Sequence, residues 1–240
     1  MAQTQSIATY KNEAKEAMQG QYPSVILYGV MTLIILSVIN VIGDLFSPTF
    51  ENFEMVDAGI PFLYVLFNLA VFAVSAVFAY GYTKLFYAVS HRNIIDVKAL
   101  LRSTVHEQPL RSIGLRFFIV LFLSLWAVLF IIPAIIKNYA YAMSFYNIMQ
   151  GEQDPLAAIT TSREQMHGHK ATLFTLDLSY LGWYILGIFT FGLLYIWIIP
   201  RHMTARMLMF NDLYEGETVS IPTETRKKAL SDDPFAAYER

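Results

Sequence analysis

The most informative stretch for the fold is "ATLFTLDLSYLGWYILGIFTFGLLYIWIIP", from Ala171 to Pro200, whose only charged residue is Asp177. As one helix it would be about 45 Å long at 1.5 Å per residue. The hydrocarbon layer of a bilayer is only about 30 Å thick. Thr190 and Gly192 interrupt the run, so we predict two membrane spans, near 171–189 and 191–213. One long tilted helix is the alternative, and it would place the C-terminus outside.

Three other runs are similarly apolar, Ser24–Gly43, Ile60–Thr83 and Phe117–Ile136. The chain is 55% hydrophobic and only 15% charged, whereas a soluble protein carries roughly a quarter charged residues. Pro133 cannot continue the backbone hydrogen bonding of a helix, and an apolar, aromatic segment follows it. We therefore predict an all-α, polytopic transmembrane helix bundle of about six spans, near residues 24–43, 60–84, 117–133, 134–150, 171–189 and 191–213.

Basic residues in short loops set the orientation of the spans. The loop from Asp44 to Gly59 holds four acidic residues and no Lys or Arg, whereas the segment from His91 to Arg116 holds five basic residues against two acidic ones. We predict a multi-pass protein of the cytoplasmic membrane with both termini inside. Residues 1–22 then form a cytoplasmic interfacial helix, and residues 215–240 form a flexible cytoplasmic tail.

An internal echo links the first and last thirds of the chain. "KEAMQGQYPSVIL" (Lys15–Leu27) aligns without gaps on "REQMHGHKATLFT" (Arg163–Thr175), with a basic residue, Glu, Met and Gly at equivalent places. Each copy is typical of an amphipathic interfacial helix that stops at a glycine before a span begins. A genuine duplication and a chance likeness both remain open.

Lys137 is a candidate functional cation, because ionisable residues within spans are costly and are often functional. It follows Pro133 by one turn, and Tyr141 and Ser144 follow it at helical spacing. A polar stripe of this kind facing the bundle indicates an anion contact, a lipid-headgroup contact or a counter-ion. The alternative is a lysine whose ammonium reaches outward to the interface.

Asp177 and Arg206 form the second candidate. If the last two spans run antiparallel, both residues lie about 10–12 Å from the inner membrane face, so we predict that they pair. Arg201 is the next candidate partner. A structural ion pair is the favoured interpretation, and a proton or substrate site is the alternative.

His169 and Lys170 are candidate contacts to lipid headgroups, because they follow a helix-stopping glycine at the predicted inner interface. The five histidines flank spans, and no carboxylate pattern of a zinc hydrolase accompanies them. We therefore expect no metal site.

The sequence carries no sign of catalysis. It has no cysteine, no glycine-rich phosphate loop, no Gly-x-Ser-x-Gly and no His-Glu-x-x-His. A net charge of −2 gives no argument for nucleic-acid binding. We expect no catalytic residues and no cofactor.

Three stretches carry a family resemblance: "LWAVLFIIPAIIKNYAYAM" (Leu125–Met143), "AITTSREQMHGHKATLFTLDLSYLGW" (Ala158–Trp183) and "FTFGLLYIWIIP" (Phe189–Pro200). They resemble the bacterial membrane family called domain of unknown function 975. The resemblance implies an integral protein of the cytoplasmic membrane and brings no established activity. Ala134 stands where the family usually has glycine, and Arg201 where a tyrosine usually follows the proline.

Two functions are consistent with these features. The first is a non-enzymatic interaction, accessory or regulatory membrane component that contacts lipids. Its partners would be membrane lipids, together with another membrane protein or a second copy of the chain. The second is a small transporter or channel that uses Lys137, Asp177 and Arg201 inside the membrane.

Overall fold

The computed structural model describes residues 4–44 and 59–220, and within these ranges the chain is helical, without strands. This confirms the prediction of an all-α fold. The helices are α1 (Ile7–Ala17), α2 (Tyr22–Asp44), α3 (Gly59–Ser90), α4 (Val97–His106), α5 (Pro109–Leu129), α6 (Ile131–Ala140), α7 (Ser144–Met149), α8 (Pro155–Gln165), α9 (Lys170–Phe189) and α10 (Tyr195–Ser220).

Four of the described helices, α2, α3, α5 and α9, are long and apolar enough to cross a membrane. The corresponding stretches are Tyr22–Ile42, Tyr64–Ser90, Pro109–Leu129 and Lys170–Phe189. The other two predicted spans, 134–150 and 191–213, correspond to α6–α7 and to α10. That these segments also cross the membrane stays a prediction.

The run from Ala171 to Pro200 forms a helical hairpin. Helix α9 ends at Phe189, and Gly192 adopts a φ of +85° in the turn that follows. The Gly192 N–H donates to the Gly187 carbonyl at 2.9 Å, and α10 then packs back against α9. The alternative of one long helix is therefore wrong.

The break that ends α5 lies at Phe130, not at Pro133. Phe130 is extended, with φ −159° and ψ 138°, and α6 begins directly after it. Pro133 falls in the first turn of α6, where a missing N–H costs nothing because it would have no helical partner. A second break at 141–143 divides the return segment into α6 and α7. The expected continuous fourth helix is thus two shorter ones.

The C-terminal boundary also differs from the expectation. Helix α10 continues to Ser220, so residues 215–220 are helical and do not belong to a flexible tail. Residues 221–240 and the acidic loop from 45 to 58 lie outside the described residues, and the predictions for them stay predictions.

The short helices α1, α4 and α8 each pack on one of the hairpins α9–α10, α2–α3 and α5–α6. Helix α4 packs on α3, and α8 packs on α5 and α7. Helix α1 packs on α10, where the Tyr10 hydroxyl donates to Asp212 Oδ2 at 2.7 Å. Helix α1 is thereby fixed against α10.

Burial is uneven along the hairpins. The buried side chains concentrate at the end where the short helices pack, for example Tyr10, Met18, Leu85 and Met166. At the opposite end the α5–α6 and α9–α10 turns expose large apolar side chains, with Val128 86% exposed and Phe191 99% exposed. Apolar surface of this extent is stable against lipid tails but not against water.

The two echoing stretches have the same local structure. Helices α1 and α8 each contain eleven residues, and each is followed by a glycine with positive φ, Gly20 at +80° and Gly168 at +83°. Four hydrogen bonds from a backbone N–H to a backbone carbonyl recur at equivalent positions in the two turns. In the first turn they run from Met18 to Ala14, Gln19 to Glu16, Gln21 to Met18 and Val25 to Gln21. In the second they run from Met166 to Ser162, His167 to Glu164, His169 to Met166 and Leu173 to His169.

Replacing Gly20 or Gly168 with alanine is expected to destabilise the protein by about 1 kcal/mol in each case, because an L-residue is strained at positive φ. An added Cβ would meet no atom within 4 Å at either glycine, so only the backbone strain contributes. The midpoint of thermal unfolding in detergent measures the effect. Clearly unequal shifts for the two variants would contradict the equivalence of the two turns.

Candidate functional site

A groove rich in basic residues lies where α6, α8 and the start of α9 meet. We call it the basic groove. Its volume is about 470 Å³, which is ample for a phosphate-bearing headgroup. It is lined by Lys137, Ala140, Thr160, Arg163, Glu164, His167 and Lys170.

Helix α8 supplies one wall because of its residue spacing. Thr160, Arg163 and Glu164 recur at intervals of three and four residues, which places them on one face of α8. His167 follows them in the turn after α8. The turn at Gly168 then positions Lys170 as the first residue of α9. The same glycine turn that starts the span therefore brings Lys170 to the groove.

Lys137 forms the other wall from α6. Its ammonium lies 5.0 Å from the centre of the Trp126 ring, a favourable cation–π arrangement. The Lys137 side chain is half-buried and lines the groove. Sequence reasoning singled out Lys137 and Lys170 separately, and the tertiary structure brings them together.

The charge of the basic groove favours an anion. Lys137, Arg163 and Lys170 provide three basic side chains, against the single carboxylate of Glu164. Arginine and lysine donors form strong, charge-assisted hydrogen bonds with phosphate oxygens. The groove is therefore suited to a phosphate group.

The two histidines of the second echoing stretch, His167 and His169, take different positions. His167 is exposed and lines the basic groove, whereas His169 is half-buried beside it, directly before α9. Burial lowers the pKa of His169, which favours the neutral imidazole near neutral pH. A contact between His169 and a headgroup phosphate would thus be a hydrogen bond from a neutral imidazole to an anion, not an ion pair.

The predicted polar stripe on one helix does not form. Tyr141 lies at the end of α6 and Ser144 begins α7, so the break between them interrupts the spacing. Both side chains are buried, and the Tyr141 ring packs 6.4 Å from the ring of Phe122. Only Lys137 of the three lines the groove.

Asp177 lies in a second polar cluster, between α9 and α10. Its Oδ1 is 3.7 Å from Arg206 Nε, as the predicted pairing requires, but it is only 2.7 Å from His202 Nε2. Because a carboxylate can only accept, Nε2 donates to Asp177, and Nδ1 shares a hydrogen bond of 2.9 Å with the Tyr184 hydroxyl. Tyr180 stacks on the His202 ring at 4.6 Å. His202 is therefore the main partner of Asp177.

Arg201 does not join this cluster. It donates from Nε to the hydroxyl of Tyr22 at the start of α2, and its guanidinium lies 5.8 Å from the centre of the same ring. The three candidate residues Lys137, Asp177 and Arg201 thus have three different sets of partners.

Sequence reasoning missed His202 and the α8 face of the basic groove. His202 precedes Arg206 by four residues, so both lie on one helix face and can meet the same carboxylate. That spacing was a usable signal. Within residues 4–44 and 59–220, no three His, Asp or Glu side chains come close enough to hold a metal ion.

The model of one protein family, described as a protein of unknown function (DUF975), matches residues 24–217. The chain belongs to the DUF975 family. No curated protein and no solved structure matches it significantly.

The residues that match the DUF975 model include both polar sites described above. The match runs from the first turn of α2 into α10 and so includes the whole basic groove and the Asp177 cluster. Helix α1 lies outside the matched range, although it packs on α10 within the described structure.

Proposed function

We propose that this DUF975 protein is a non-enzymatic membrane component that acts by interaction, as an accessory or regulatory protein, and binds anionic phospholipid headgroups in the basic groove. One observation carries the proposal: Lys137, Arg163 and Lys170 come from three different helices and line one groove. Three cations held together without a ligand repel one another, so an anion between them stabilises the arrangement.

The position of the groove supports a lipid as the source of the anion. Lys170 begins an apolar helix long enough to cross a membrane, so the groove lies where such a helix meets the headgroups. Basic pockets at this depth on the cytoplasmic side are suited to anionic headgroups.

The orientation and the location belong to the same proposal. The short helices and the basic loops lie at one end of the hairpins, and basic residues favour the cytoplasmic side. We place that end, with both termini, at the inner face of a bacterial cytoplasmic membrane. Helices α1 and α8 would then lie at the interface as amphipathic helices, each burying one face, for example Tyr10 and Ala14 of α1.

The contacts favour interaction over transport. A transport path using Lys137, Asp177 and Arg201 would need them to face one passage. Instead Lys137 faces the basic groove, Asp177 pairs with His202, and Arg201 bonds Tyr22. The three side chains thus face three different surroundings, and this supports interaction over transport.

Changing Lys137 and Lys170 together to glutamine is expected to weaken binding of phosphatidylglycerol roughly fivefold for each charge removed, since a basic residue near an anionic surface contributes about 1 kcal/mol. Native mass spectrometry of the protein released from nanodiscs of mixed phosphatidylglycerol and phosphatidylcholine measures which lipid is retained.

Lys98→Gln is the matched control, because Lys98 is exposed on α4 and lies outside the basic groove. The control should retain phosphatidylglycerol as the unmodified protein does. If the double variant retains it equally well, the lipid proposal is wrong.

Crosslinking in the native membrane tests the interaction part of the proposal. Recovery of neither a stoichiometric partner protein nor a second copy of the chain would count against that part.

A further inference from the structure

A second groove with a different character lies between α1 and the α9–α10 hairpin. We call it the α1 groove. It has a volume of about 350 Å³ and shares no lining residue with the basic groove. Lys11 and Lys15 from α1, Arg201 from α10, and the aromatic residues Tyr180, Trp183 and Trp197 are the lining residues that matter.

The basic residues of the α1 groove are positioned without a neutralising acid. Its lining contains three cations and no carboxylate. Lys11 is fixed by the Ser179 carbonyl at 3.2 Å and by the Tyr180 ring at 4.9 Å. Arg201 uses Nε for Tyr22, which leaves the other N–H groups of its guanidinium for a ligand. Lys15 is exposed.

The rest of the α1 groove is apolar and aromatic. Trp183 is 51% exposed and Trp197 is 47% exposed, and Leu194 and Ile198 continue the wall between them. Trp197 and Leu194 lie toward the α9–α10 turn, whereas Lys15 lies on the short helix at the opposite end. A ligand that fills the groove must therefore be anionic at one end and apolar at the other.

The two grooves occupy equivalent places beside the two echoing helices. Lys15 of α1 corresponds to Arg163 of α8 in the ungapped alignment, and Asn12 and Thr160 lie three residues before them; each pair lines its own groove. Each groove also receives one cation from the second helix of a hairpin, Lys137 from α6 or Arg201 from α10. The same combination of a short helix and a hairpin cation thus occurs twice.

We propose that the α1 groove binds one anionic phospholipid, with its phosphate between Lys15 and Arg201 and an acyl chain along Trp183 and Trp197. Charge complementarity selects the headgroup, and the exposed indole rings favour the acyl chain over a free ion. The proposal does not depend on lipid binding in the basic groove, because the two sites use different residues.

Quenching of tryptophan fluorescence by brominated lipids tests this site. The chain has three tryptophans, and Trp126→Phe leaves only the two that line the α1 groove. Nanodiscs of unlabelled phosphatidylcholine would contain a minor fraction of brominated phosphatidylglycerol or, in a parallel sample, brominated phosphatidylcholine. We expect the brominated phosphatidylglycerol to quench more strongly at the same fraction.

Adding Lys15→Gln and Arg201→Gln should abolish this excess quenching, with a roughly fivefold loss of binding for each charge removed. Arg201→Lys keeps a cation and should keep most of the excess, and circular dichroism checks that each variant is folded. The Lys137→Gln/Lys170→Gln variant should keep the excess in full, so failure at one groove is distinguishable from failure at the other.

Four results would overturn the proposal. The first is equal quenching by the two brominated lipids. The second is an excess that survives Lys15→Gln with Arg201→Gln. The third is loss of the excess on adding inorganic phosphate alone, which would assign the groove to a free ion. If a chain ending at Ser220 showed a larger excess, residues 221–240 would occupy the groove instead of lipid.

Discussion

Replacing Gly81 with alanine is expected to destabilise the protein by roughly 1–3 kcal/mol, the usual cost of forcing a methyl group into a filled core. Gly81 lies on α3 where α2 and α4 both approach. A Cβ there would be 2.0 Å from the Tyr28 hydroxyl and 2.6 Å from Thr104 Cγ2, far inside contact distance.

The neighbours of Gly81 cannot easily move away. Tyr28 and Thr104 are both fully buried, and the Tyr28 ring is held against the rings of Tyr82 at 5.2 Å and Phe78 at 6.5 Å. We therefore expect the added methyl group to separate α4 from α3. The loss should appear as a lower midpoint of thermal unfolding and as faster hydrogen exchange in α4.

Gly182→Ala is the matched control, since Gly182 lies inside α9 and an added Cβ there would meet nothing within 4 Å. Alanine is also the better helix former, by up to about 1 kcal/mol. The control should be neutral or stabilising. A Gly81→Ala protein as stable as the unmodified chain would show that the α2–α3–α4 contact is looser than described.

Replacing Asp177 with alanine is expected to cost roughly 2–4 kcal/mol, because it leaves His202 and Arg206 without their shared acceptor inside the bundle. Asp177 and His202 are largely buried, with side chains 19% and 8% exposed. Arg206→Ala should cost less, since its Nε is 3.7 Å from the carboxylate and its side chain is 24% exposed.

Double-mutant cycles measure separately the coupling energies of Asp177 with His202 and with Arg206. The coupling energy of Asp177 with His202 should exceed that of Asp177 with Arg206, which follows from the hydrogen bond of 2.7 Å in the first pair. The free energy of unfolding in detergent gives both values. A larger coupling to Arg206 would restore the pairing expected from sequence and would contradict the geometry of the cluster.

The site was only partly predictable from sequence. Lys137 and Lys170 could be identified one by one, since a cation inside or beside an apolar run is conspicuous. Their convergence with Arg163 could not, because it depends on where α8 packs. In the same way, equal depth in the membrane suggested Arg206 as the partner of Asp177. Depth alone does not determine which residue of a helix face lies nearest to the carboxylate.

The helical class of the protein follows from its sequence alone. Long uncharged runs are typical of membrane-spanning helices, because lipid cannot hydrogen-bond to a free backbone, and the glycines at 20, 168 and 192 mark turns because they tolerate positive φ. The tertiary structure was needed to show that residues 171–200 form a hairpin, that α1 packs against α10, that the break falls at Phe130 before Pro133, and that the cations gather in two grooves. The physical reason is that backbone preferences act locally, whereas side-chain convergence depends on packing between helices far apart in the chain.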